Sequence, residues 1–310
     1  MNLSPQVTII MATFNRAHFI YESLKSIQAQ TINAWECIII DDGGTDNTKE
    51  IIAPLLSQDS RFSFLKRPSR YEKGLSGCRN YGLDLVKGNH IVFFDDDDII
   101  HPQNLEIGLA VFKVNPTIHY LHYVKQSFID IKEVADLPKI DSYTTHIATP
   151  STYEDLITGT MGFASCTVLW KASNFKNIRF NDMLQYAEEW ECYTRILINF
   201  PRGIITDAVL YYNRKHLASN TGEFFSGNPN RKKAKVAASK LVITYLNDLG
   251  LLSAKLQKYF AWESVLLKEV SINKHLMSQS SIGVKSKCKA WFYYSFSPLI
   301  KIYLKNKKNH

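Results

Sequence analysis

Ile91-Val92-Phe93-Phe94-Asp95-Asp96-Asp97-Asp98 decides the reading of this chain. Its apolar half reads as the end of a buried strand. Its acidic half would then sit at the strand tip, where clustered carboxylates repel one another and raise each other's pKa. Such a cluster is stable when a divalent cation neutralises it, or when the side chains fan into solvent. Hard oxygen donors suit Mg2+ or Mn2+, which bind through one or two carboxylates together with substrate phosphates. A plain acidic turn after a strand is the alternative.

Working outward from that run, strand and helix signals alternate. Apolar stretches predict strands at 7–11, 35–40, 62–65 and 90–94. Helical spacing predicts helices at 17–29, 45–56, 75–86 and from Pro102 to about 114, with Thr45 and Asp46 as N-cap candidates for the second. Continuously apolar strands alternating with helices mean an α/β fold, a mostly parallel sheet with helices on both faces. Ligands bind such sheets at the carboxyl ends of the strands. That rule gathers Thr13-Phe14-Asn15-Arg16, Asp41-Asp42-Gly43-Gly44 and the acidic run at one rim. Residues 118–180 are less regular, with a further, antiparallel strand expected at 164–170. Helical patterns return at 234–249, 252–272 and 290–304. Turn formers between Gly222 and Pro229 place a boundary near residue 225, dividing a body of residues 1–225 from a helical region of residues 226–310.

The 310 residues, 45% apolar and 12% aromatic, suffice for a well-packed body with an appendage. The net charge of +8 is uneven: residues 231–310 hold 16 Lys+Arg against 3 Asp+Glu, so attraction to any polyanion falls to the tail. Five cysteines without a CxxC pair exclude a zinc ribbon and supply no disulfide framework, so reduced thiols and a cytoplasmic location are expected. The first residues do not read as a signal peptide, and no apolar run of about 18 residues predicts a membrane span. Neither GxGxxG nor GxxxxGK[ST] occurs, which counts against a dinucleotide-binding dehydrogenase and a P-loop NTPase.

Three further pieces carry chemistry. In Asp41-Asp42-Gly43-Gly44-Thr45-Asp46 the glycines let backbone approach a ligand, and a carboxylate can accept from a base N–H or a ribose hydroxyl. Arg79, in Gly77-Cys78-Arg79-Asn80-Tyr81-Gly82, is a fixed cation able to address a phosphate or stack on a base. Glu188-Glu189-Trp190-Glu191 opens a helix; the helix dipole favours acids there, and one of them is a candidate general base.

Together with Val7 to Arg16 and with Tyr212-Asn213-Arg214-Lys215-His216, these pieces in this order resemble the family-2 inverting glycosyltransferases of the GT-A fold. The resemblance covers residues 7–219. It implies a Rossmann-like sheet, a nucleotide-sugar donor, most often a UDP-sugar, and a glycan or lipid-linked acceptor in surface polysaccharide synthesis. It places Thr13, Asn15 and Arg16 in the nucleotide pocket, Asp42 on the base and Arg79 beside base or phosphate. Asp95, Asp96 and Asp97 match the DxD element. Asp97 would ligate Mn2+ or Mg2+ directly, with Asp95 and His216 completing the metal set and Asp95 and Asp96 toward the ribose and metal-bound waters. Glu189, with Glu188 beside it, stands where the family usually has the Asp of a Glu-Asp pair, so this base is one methylene longer. The implied reaction is a single inverting displacement.

Residues 290–308 mix aromatics, aliphatics and lysines, a composition suited to the bilayer interface. Peripheral contact with anionic lipid at the inner face of the plasma membrane is expected; a helical packing surface or homodimer interface is the alternative. Two other functions remain open at this point. A metal-dependent nucleotidyltransferase would want a glycine- and lysine-rich phosphate loop, which residues 12–17 lack. A nucleic-acid binder would use the basic tail, but the acidic rim opposes it, so nucleic acid is not an expected partner.

Overall fold

The computed structural model describes residues 4–128, 137–215, 220–280 and 282. Four parallel strands come first: β1 (Val7–Thr13), β2 (Trp35–Asp41), β3 (Phe62–Lys66) and β4 (His90–Phe93). The chain then adds β5 (Ile99–Ile100), β6 (Tyr120–Phe128), β7 (Thr145–Ile147), β8 (Val168–Lys171) and β9 (Gly203–Arg214). The strand order is β3-β2-β1-β4-β8-β6-β9-β5, with β7 also on β9. β8 runs antiparallel to both β4 and β6, as its sequence suggested, while β6 and β9 pair in parallel. The sheet is therefore mixed, parallel throughout its N-terminal half.

Alternation along the strands builds two cores. Ile9, Met11, Cys37, Ile39 and Val92 face one side. There they meet α1 (Ile20–Gln28), α2 (Thr48–Gln58) and α4 (Asn104–Val114). Ile10, Ile38, Ile40, Ile91 and Phe93 face the other. That side is covered by α3 (Leu75–Asp84), α5 (Thr152–Thr158) and α6 (Glu188–Asn199). Strands buried on both faces explain the unbroken apolar runs. Gly82 lets α3 settle on the sheet, since a Cβ there would meet Ile10 Cγ2 at 2.6 Å.

After a short α7 (Asn220–Phe225), helices α8 (Pro229–Asp248), α9 (Ala254–Leu266) and α10 (Val270–Ser278) form a third apolar cluster. It shares Ile157 of α5 and Trp190 of α6, so these helices pack directly on the body. Two boundaries differ from the sequence reading. The second helix begins at Thr48 rather than Thr45, because Asp46 turns back to accept from Ala17 N–H at 3.0 Å and Thr48 N–H at 3.1 Å. The stretch read as one helix over 252–272 is two, broken at Lys268, whose φ is +53°. Residues 290–304 and His216 lie outside the described residues. Among the described residues no helix is long and apolar enough to cross a membrane. The four described cysteines are free and buried.

Candidate active site

The carboxyl ends of β1, β2 and β4 form one rim, because these strands are neighbours in register. From β1, Thr13 is buried beside Asp96, whose pKa its hydroxyl tempers. Asn15 adopts φ +54°, and its Oδ1 accepts from Thr45 N–H (2.7 Å) and Asp46 N–H (3.3 Å). Its side chain thus ties the β1 loop to the β2 loop. Arg16 reaches across to Asp96 (3.4 Å) and Asp97 (3.7 Å). From β2, Asp42 Oδ1 meets Arg67 Nε at 2.5 Å and accepts from Gly74 N–H at 3.2 Å.

The tip of β4 carries the acidic run. Burial, chiefly, pushes Asp95 up to about 6; repulsion from Asp97 and Glu189 adds to it while Arg79 opposes. Burial and Asp97 push Asp96 up to about 7. Burial, Asp95 and Asp97 push Asp98 up to about 8, against the pull of Arg214 N–H, which donates to Asp98 Oδ1 at 2.7 Å. Tyr211 Oη accepts from Asp95 N–H at 3.1 Å and helps fix the turn.

Carboxyls crowded at one buried tip repel one another, a strain that a divalent cation would relieve. Among the described residues the tightest potential ligand group is Asp95, Asp98 and Cys166, with one ligand atom from each within 4.8 Å of the others. Burial holds the Cys166 thiol well above its usual range, so it offers no thiolate. The remaining donors are hard oxygens, which fit Mn2+ or Mg2+.

Arg79 joins this tip to the acidic start of α6. It is 3% exposed, and its guanidinium lies 3.1 Å from Glu188, 3.7 Å from Glu189 and 3.7 Å from Asp95. Burial alone would depress Arg79; the three carboxylates outweigh it and keep the guanidinium charged. Sequence reading placed Arg79 beside a base or phosphate; in the fold its fork is taken up by carboxylates. Burial and the neighbouring Glu189 push Glu188 up to about 8, with Arg79 pulling the other way. The side chain of Glu188 is 6% exposed and that of Glu189 is 32% exposed, so Glu189 is the more accessible member of the pair.

The fold thus brings Thr13, Asn15, Arg16, Asp42, Arg79, Asp95, Asp96, Asp97, Glu188 and Glu189 to one rim. Sequence reasoning placed Asp98 and Arg214 in its motifs without a role and missed Arg67 and Tyr211. Arg67 directly follows β3 and Arg214 ends β9, so the strand-end rule applied to every strand would have marked both.

Residues 8–170 match the family described as Glycosyl transferase family 2. The chain belongs to that family. It is 36% identical over 94 residues to the Campylobacter jejuni GalNAc(5)-diNAcBac-PP-undecaprenol beta-1,3-glucosyltransferase, a match covering 30% of each chain. It is 36% identical over 118 residues to the Escherichia coli UDP-Glc:alpha-D-GlcNAc-diphosphoundecaprenol beta-1,3-glucosyltransferase WfgD, covering 38% of this chain and 45% of that one. These two matches therefore span less than half of each relative. Among solved structures, S. aureus TarS 1-349 in complex with UDP-GlcNAc superposes with a TM-score of 0.63 at 16% identity, covering 94% of this chain and 90% of that one. The Pyrobaculum calidifontis mannosyltransferase PcManGT, in complex with GDP-Man and Mn2+, gives 0.53 at 14% identity, covering 96% and 76%. At such identities the two structures speak to the fold, GT-A.

Proposed function

We propose that this family-2 protein transfers a sugar from a UDP-sugar to a lipid-linked glycan acceptor by one inverting, metal-assisted displacement. The observation that carries the proposal is the Arg79 bridge, which sets Glu189 across a single guanidinium from Asp95 at the acidic tip. In-line attack needs a base and a diphosphate-binding pole on opposite sides of the anomeric carbon, and the closeness of Glu189 and Asp95 to one guanidinium supports that reading.

In this reading Asp42 addresses the uracil, with Oδ2 facing it because the Arg67 and Gly74 contacts both fall on Oδ1. Asp95 and Asp97 hold Mn2+ or Mg2+, with Asp96 behind them and His216 as a further donor. When bound, that cation offsets the charge gained by the departing diphosphate. Glu189 takes the proton of the acceptor hydroxyl, a role that contributes about 100- to 10,000-fold. Glu188 orients it through Arg79, which both carboxylates face. The relatives named for diphosphoundecaprenol support a polyprenyl-linked acceptor. Such an acceptor is presented at a membrane, where the basic, aromatic residues 290–308 would dock. Residues 1–225 form the catalytic unit in this reading, and helices α8 to α10 of the 226–310 region buttress it.

The test is UDP release from a panel of UDP-sugars, with and without Mn2+, in the presence of GlcNAc-diphosphoundecaprenol. The Glu189→Gln variant should bind UDP and Mn2+ like the wild type and lose transfer by at least about 100-fold. Full transfer by that variant would remove Glu189 from its role.

A further inference from the structure

The first turn of α6, which carries Glu188 and Glu189, starts without a capping side chain. Its N-cap is Ala187, at φ +62° and with no side-chain cap bond. An uncapped helix start is weakened and frays. Within the helix Arg195 pairs with Glu191 at 2.7 Å; Glu188 and Glu189 are steadied by Arg79 on one side and, on the other, by what holds the neighbouring Trp190 indole. Trp190 Nε1–H donates to Ile157 O at 3.4 Å, and the ring meets Phe260 edge-on at 6.5 Å.

Lys235 of α8 closes that seat. Its Nζ stands 3.2 Å above the Trp190 ring centroid, and the side chain is 13% exposed. The ammonium also pairs with Glu263 Oε1 of α9 at 3.2 Å. Glu263 is itself committed, accepting from Ser239 Oγ–H at 2.6 Å and from Tyr259 Oη–H at 3.1 Å. A partly desolvated ammonium over an indole face gains more than an exposed one. Burial lowers the Lys235 pKa while Glu263 raises it, and the Glu189 carboxylate is among the charges that act on the ammonium.

We infer that Lys235, supplied by the C-terminal helices, is a positioning residue for the reaction: it clamps Trp190 and thereby fixes where the Glu189 carboxylate sits in the cleft. The inference rests on the reading of Glu189 as the base. The simpler role, a buried ion pair bracing α8 on α9, makes a different forecast. Apolar replacement of a buried pair is often neutral or stabilising. Misplacement of a catalytic group by about 1 Å costs about 100-fold in rate.

The experiment uses the full chain and the UDP-sugar that the wild type turns over best. Lys235→Met should lower kcat by at least about 10-fold while KM for the donor stays within about twofold. Lys235→Arg, which restores a cation over the ring, should recover most of that loss. The double variant Lys235→Met/Glu263→Leu should keep the wild-type Tm and still show the low kcat. Wild-type kcat in that folded double variant, or a loss in Lys235→Met that Lys235→Arg does not recover, overturns the inference while leaving the transfer reaction intact. If the wild type itself releases no UDP from any donor, the reading of Glu189 falls and this inference with it.

Discussion

Replacing Arg79 by methionine removes the one cation that three carboxylates share. Glu188, Glu189 and Asp95 lie 3.1, 3.7 and 3.7 Å from its guanidinium. Methionine fills much of the same volume, so the cavity contribution is small and the electrostatic one dominates. Breaking a buried ion pair by deleting one partner costs about 3–5 kcal/mol, because the remaining charge stays desolvated. The loss should depend on pH. Glu188 already has its folded pKa raised to about 8, and without Arg79 that value rises further. A carboxyl whose folded pKa exceeds its unfolded one takes up a proton on folding, so its stabilising contribution is present at low pH and is lost as pH rises through the folded pKa. The gap between wild type and Arg79→Met should therefore widen from pH 6 to pH 8.5. Each additional unit of pKa shift is worth about 1.4 kcal/mol. Urea unfolding monitored by circular dichroism at both pH values measures it. Adding Glu188→Gln to Arg79→Met should return more than half of the loss at pH 8.5. A loss under about 1 kcal/mol at that pH, or one independent of pH, would refute the view of Arg79 as the site's shared counter-charge.

Two further outcomes follow from packing and titration. Gly77→Ala should destabilise by at least about 1–3 kcal/mol in urea unfolding, since its Cβ would lie 1.9 Å from the Glu72 carbonyl oxygen; an unchanged midpoint would show that the 72–77 turn yields freely. Burial holds His122 down at about 4, well below its unfolded value. The unfolded chain then binds more protons between those two values, so stability should fall as pH drops, by about 2 kcal/mol between pH 7 and pH 5 from this residue. His122→Phe, facing Phe163 at 4.3 Å, should flatten that slope, and an identical slope in both proteins would exclude His122 as its source.

Much of the rim could be read from residue order because strand ends are local signals. Thr13, Asp41 and Asp95 each follow an apolar run whose burial on two faces the sequence cannot hide. Helix limits were harder to see. Asp46 resembles an N-cap until its carboxylate is found shared with Ala17 of another loop. The break at Lys268 has neither glycine nor proline beside it; it is held by Glu269 N–H donating to Ser264 O at 2.9 Å. Pairings across the chain were illegible for a different reason. Arg79 and Glu188 are 109 positions apart, and nothing local to either names the other. Lys235 stands in Arg231-Lys232-Lys233-Ala234-Lys235, a run that composition assigns to solvent. Only the packing of α8 on α6 turns one of those cations inward.

If Glu189 is the base, its length, one methylene more than an aspartate, raises a geometric question that these contacts address. A longer side chain carries its carboxylate farther and has one more rotatable bond, both of which degrade a base unless something holds it. Here the arm is restrained twice, by the Arg79 fork at 3.7 Å and by the clamped Trp190 next to it in sequence. Arginine suits this because its planar fork addresses several oxygens at fixed angles, which an apolar residue of equal stability would not. If the surroundings are built for the longer arm, shortening it should harm the reaction rather than restore a family norm. Glu189→Asp would draw the carboxylate back by about 1 Å, and displacement of that size costs about 100-fold in rate. Binding of UDP with Mn2+, measured calorimetrically, should not change, because in the proposed reaction Glu189 serves the acceptor hydroxyl and not the diphosphate. An aspartate variant that transfers sugar at the wild-type rate would show that the pocket tolerates either length, and that the Arg79 and Trp190 restraints do not set the position of the base.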